Sequence, residues 1–165
     1  MRGDEERPLL VIGVGNPYRG DDGAGIVVAR KLKDLGLLGM VTREESGEGS
    51  SLIEAWANAT SAVIVDAVSS GSAAGTIHRL DAHSRPIPTD FFHYSSHSFG
   101  VAEAIEVARA LNELPQRLDV FGIEGGGFTA GDGLSPEVER AVDEVVSSIV
   151  HTFRLHAHQG VFPLH

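Results

Sequence analysis

Three residues far apart in the chain, Asp22, Asp66 and His97, carry side chains able to share one metal ion. Two carboxylate oxygens and one imidazole nitrogen form a mixed donor set that leaves room for water or substrate. Asp22 lies in Gly20-Asp21-Asp22-Gly23, just past the apolar run of residues 9–14. Asp66 interrupts Ala62-Val63-Ile64-Val65-Asp66-Ala67-Val68. A lone carboxylate in so apolar a strand is expensive unless it is paired or binds a metal. His97 precedes an apolar helical stretch, and a helix N-terminus disfavours the protonated imidazole. That leaves the neutral form, the one that ligates metals. Each residue also has a plainer role open to it. Asp21 or Asp22 suits a helix N-cap, Asp66 a cap on the Ser69-Ser70 turn, and His97 a hydrogen bond to a neighbouring loop. His93 is a rival to His97 in a less regular segment.

Other chemistries find less support. Gly13 and Gly15 begin a dinucleotide fingerprint, but Tyr18 occupies the third glycine position, and two aspartates there would repel a pyrophosphate. There is no Walker lysine, no His-Glu-x-x-His and no Gly-x-Ser-x-Gly elbow. With no cysteine, disulfides, thiolate metal sites and a cysteine nucleophile are excluded. His156 and His158, two apart near the chain end, and the terminal His165 are expected on a solvated tail rather than in a metal box.

The elements that must hold the three residues follow from hydrophobic patterning. Residues 9–14 read as a strand buried on both faces. From Gly23 the spacing of Ile26, Val28, Ala29, Leu32 and Leu35 is helical, and Gly36 stops it. Strands are expected at 41–45, 62–68 and 118–123, with an edge strand at 76–80. Ser51 and Glu54 suggest a capping box for a helix through about Ala59. A further helix is carried by Val101, Ala104, Ile105, Ala108 and Leu111. Ser135-Pro136 opens the last one. Residues 81–96 form a long irregular loop, and 124–133 a glycine-rich one. Strands alternating with helices predict an α/β fold: a three-layer αβα sandwich around a mostly parallel twisted sheet of about five strands. In such a sheet Asp22, Asp66 and His97 can meet at the carboxyl edge, with heteroatoms within roughly 5–6 Å of one another.

At 165 residues the chain is expected to form one domain, residues 1–165, with a core from about 9 to 153 and short polar tails. A net charge of −10 argues against nucleic acid or an anionic membrane as partner. No apolar run approaches the roughly 18 residues of a membrane span, and the polar start has no signal core. A cytoplasmic monomer is the expectation.

The motifs resemble a known family. Ile12-Gly13-Val14-Gly15-Asn16 followed by Gly20-Asp21-Asp22-Gly23-Ala24-Gly25 is similar to the N-terminal signature of the [NiFe]-hydrogenase maturation endopeptidases. Ile64-Val65-Asp66-Ala67-Val68 resembles the family's central strand ending in Asp-Ala, and His97-Ser98-Phe99-Gly100 its His-x-x-Gly segment. Gly122-Ile123-Glu124 and Gly133-Leu134-Ser135-Pro136-Glu137-Val138 resemble its last third. The resemblance implies an endopeptidase that removes a C-terminal extension from the hydrogenase large-subunit precursor after nickel insertion. It implies Asp22, Asp66 and His97 as metal ligands and Asp22 and Asp66 as the catalytic carboxylates. The nickel ion would come with the precursor, and no tightly bound cofactor would be needed in the free enzyme. A further acidic position maps onto Glu45, next to Glu44. Two other classes fit the same residues: a nickel-sensing checkpoint or chaperone that does not cleave, and a metal-dependent hydrolase of a small substrate.

Overall fold

The computed structural model describes residues 8–88, 91–92 and 97–158. His93, His165 and the two tails, residues 1–7 and 159–165, lie outside them. Five strands make one sheet: β1 (Leu9–Val14), β2 (Met40–Glu45), β3 (Ser61–Val68), β4 (Ile77–Asp81) and β5 (Arg117–Glu124). Their order is β2-β1-β3-β5-β4. All neighbours run parallel except β4, which is antiparallel to β5. Among the described residues, three α-helices connect strands, α1 (Ala24–Leu35), α2 (Gly49–Trp56) and α3 (Val101–Ala110), and α4 (Pro136–His158) follows β5.

Alternation along each strand divides the core in two. Leu10, Ile12 and Val14 of β1 join Ala62, Ile64 and Val68 of β3 beneath α2 and α3. Leu9 and Val11, with Val63, Val65 and Ala67, face α1 and α4. Both faces of β1 and β3 are therefore covered, which is why those strands read as unbroken apolar runs. Burial of each Ile, Val or Leu in these layers contributes about 1.5–3 kcal/mol. The three-layer αβα sandwich and its mostly parallel five-stranded sheet agree with the sequence pattern.

Three local features differ from the sequence reading, and a fourth agrees with it. A 3-10 turn (Gly20–Gly23) precedes α1, and neither aspartate in it caps the helix. The cap of α2 is Glu48, whose carboxylate accepts from the N–H groups of Ser50 and Ser51, both at 2.9 Å, so the helix starts before Ser51 and ends at Trp56. Helix α3 begins at Val101 behind Gly100, with His97 on the connection before it as expected. His156 and His158 belong to α4 instead of a tail, and His156 packs near Arg117, with Nδ1 3.2 Å from the guanidinium.

Candidate active site

The chain reverses its direction of travel across the sheet at β1. After β1 it crosses to β2 on one side, then returns to lay β3 on the other. The carboxyl ends of β1 and β3 therefore flank a topological switch point, where α/β sheets open a crevice. A cavity of about 290 Å³ lies there, and Asp22, Asp66 and His97 all line it.

Each side chain arrives by a different route. Asp66 is on β3 and shares the pleat direction of Ile64 and Val68, so it faces the α2–α3 side. It is 7% exposed. Burial, reinforced by the negative charge of Asp22, pushes its carboxyl well above the usual carboxylate range; the Ala67 N–H, 2.8 Å from Oδ1, opposes this. Asp22 comes from the turn after β1. Burial raises its pKa as well, against the Asn16 N–H at 3.0 Å from Oδ2 and the charge of Arg19. His97 comes from the α3 side, beside Gly47. Gly47 has φ +99°, and a methyl there would fall 3.1 Å from Val14 Cγ1 and 3.9 Å from the imidazole Cδ2.

The three residues share a cavity wall rather than a ready-made coordination shell. Among the described residues, no group of three His, Asp or Glu side chains could hold a metal ion as they stand. Asp22 accepts the Asn16 N–H through Oδ2, and Asp66 accepts the Ala67 N–H through Oδ1.

Asp21 behaves unlike its neighbour. It is 1% exposed and turned away from the cavity into the glycine-rich loop. Glu45 ends β2, where its carbonyl accepts from Gly15 N–H at 3.0 Å and its carboxylate meets Arg43 at 3.2 Å. Glu44 forms a two-point pair with Arg30. Sequence reasoning passed over the remaining polar wall, formed by Asn16, Tyr18, Arg19 and Ser46. For Asn16, Tyr18 and Arg19, adjacency to Asp22 in the first loop was the available signal; Ser46, after β2, offered none. It also missed Glu124, 2% exposed at the end of β5, which accepts from Ser70 N–H at 2.8 Å and Ser70 Oγ at 2.6 Å.

Comparison with known proteins bears on this site. A family model described as hydrogenase maturation protease matches residues 46–152, more than half of the chain. The chain belongs to the hydrogenase maturation protease family. The match includes Asp66 and His97 and stops short of the first loop. A protein of Methanocaldococcus jannaschii provisionally named a hydrogenase maturation protease is 29% identical over 157 residues, covering 88% of this chain and 96% of that protein. The hydrogenase maturating endopeptidase HybD from E. coli has the same fold, with a TM-score of 0.74 at 23% identity over 89% of this chain and 92% of that one. The maturation protease HycI from Thermococcus kodakarensis gives 0.65 at 21% identity, covering 90% and 94%. The protein is accordingly a hydrolase of the protease class. Among its described residues no helix is long and apolar enough to cross a membrane.

Proposed function

We propose that this protease removes the C-terminal extension of a [NiFe]-hydrogenase large-subunit precursor once nickel has been inserted, and that the precursor's nickel is the signal it reads. The observation that carries the reading is the shared cavity: Asp22, Asp66 and His97, separated by tens of residues, line one crevice at the switch point. Carboxylate and imidazole donors suit a divalent first-row metal. In this reading the nickel is part of the substrate, and the precursor completes the shell that the three side chains begin.

The raised pKa values fit that division of labour. A cation brought into the crevice favours ionised Asp22 and Asp66 over their protonated forms and offsets the repulsion between them. One of the two carboxylates would then accept the proton of the attacking water. The ion would polarise the scissile carbonyl or lower the pKa of that water. A cytoplasmic location belongs to the same reading.

The test is a gel assay of purified protein with precursor prepared with and without nickel. The proposal expects the large subunit to shorten only in the nickel-loaded sample. A precursor that binds but stays full length points to a checkpoint. Turnover of small amides or esters with no effect on the precursor points to a generic hydrolase.

A further inference from the structure

The glycine-rich segment 124–133 had no role in the sequence reading, and the cavity lining does not include it. It nonetheless touches the back of the wall that does line the cavity. Asp21 Oδ2 accepts from Gly126 N–H at 2.8 Å, Gly127 N–H at 3.0 Å and Ser135 Oγ at 2.9 Å, while Oδ1 accepts from Ser135 N–H at 2.7 Å. Three backbone bonds complete the lacing. Asp21 N–H donates to the Gly127 carbonyl at 2.8 Å, Gly20 N–H to that of Asp132 at 3.1 Å, and Gly131 N–H to that of Tyr18 at 2.9 Å. Seven hydrogen bonds thus join two segments more than a hundred residues apart.

The glycines explain how the two backbones come so close. Gly20 has φ +56°, and a methyl on it would fall 2.6 Å from the Gly127 carbonyl oxygen. A methyl on Gly125 would fall 3.1 Å from Asp21 Cβ. On the other side of the same turn, Asn16, Tyr18, Arg19 and Asp22 line the cavity. Tyr18 is 78% exposed there, its N–H held by Asn16 Oδ1 at 2.9 Å and its carbonyl by Gly131.

We propose that Asp21 is a positioning residue: it clamps the glycine-rich loop behind the first loop and so fixes the pose in which Tyr18 and Asp22 meet the substrate. The paired aspartates divide the work, with Asp22 facing the crevice and Asp21 holding its wall. The exposed Tyr18 ring is suited to an apolar side chain of the polypeptide being cut. The substrate half of this inference rests on the protease reading above; the clamp itself does not.

The test compares Asp21→Asn, Asp21→Ala and Ser135→Ala with wild type by amide hydrogen exchange and by kinetics on nickel-loaded precursor. Asp21→Ala removes four hydrogen bonds at a buried side chain and is expected to raise exchange about tenfold or more at residues 16–22 and 126–135 together. Helix α2, at the far side of the cleft, should be unchanged. Asp21→Asn keeps one accepting oxygen and should loosen both segments less, and Ser135→Ala least. KM should rise more than kcat falls, in the same order. Equal loss of protection in every element, or a KM equal to wild type in loosened variants, would overturn the proposal. If the alanine variant does not fold, the graded response of the other two decides. A wild-type enzyme that leaves the precursor whole overturns the protease reading, while the exchange pattern still decides the clamp.

Discussion

The carboxyl groups of Asp22 and Asp66 line the same crevice and work against each other: after burial, the charge of Asp22 is the largest influence holding the Asp66 proton in place. A site tuned only for stability would replace one of them. Two carboxyl groups facing one cavity form a pairing whose repulsion a cation would offset.

The first prediction uses that conflict. Asp66 has a folded pKa above its ordinary 3.8. The unfolded chain releases this proton near 3.8 while the folded chain keeps it, so the group's contribution to stability is full below that pH and declines as pH rises toward the folded value. Asp66→Asn removes the decline. It should raise the melting temperature at neutral pH and abolish precursor cleavage in the same preparation. The gain should disappear below about pH 3.8. Thermal melts across pH check the first part. A destabilised Asp66→Asn at neutral pH would show that the carboxylate is compensated within the fold.

Glu48 titrates in the opposite sense. Its two N–H partners at the start of α2 lower its pKa from 4.5 to about 2. The stability it contributes is present above the unfolded value and is lost as pH falls through the folded one. Glu48→Ala should therefore differ most from wild type above pH 4.5 and converge with it as the pH approaches about 2. Urea midpoints across that range would show the convergence.

Gly25 offers a test of the packing beneath the site. It lies in α1, where alanine is normally favoured by about 1 kcal/mol. A methyl there would run into the Val65 carbonyl oxygen and fall 2.6 Å from the Val14 carbonyl oxygen. Backbone cannot yield as a side chain can, and overpacking of this kind costs about 1–3 kcal/mol or more. Gly25→Ala should lower the urea midpoint despite its better helix propensity. An unchanged or higher midpoint would mean that α1 does not lie so close to β1 and β3.

Strands β1 and β3 were legible because burial on both faces leaves an unbroken apolar signature, and β1 begins and ends at the residues expected. The crevice was legible because loops after parallel strands gather at one edge, and Asp22 and Asp66 both follow from that rule. Asp21 was misread as a helix cap because local spacing describes only local partners, and its donors lie 105 to 114 positions away. Glu48 was passed over for Ser51 because a glutamate seldom caps a helix, and the glycine after it gives no helical signal. The end of α4 was hidden by a polar composition that a solvated helix shares with a tail.

The most direct measurement of the central claim is the intact mass of nickel-loaded large-subunit precursor after incubation with wild-type protein, with folded His97→Ala, and with folded Asp22→Asn. The account predicts loss of one C-terminal fragment with wild type. It predicts nearly complete retention of the full-length mass with either variant, since removing any member of one metal-reading unit disables it. Normal processing by His97→Ala would contradict the assigned site.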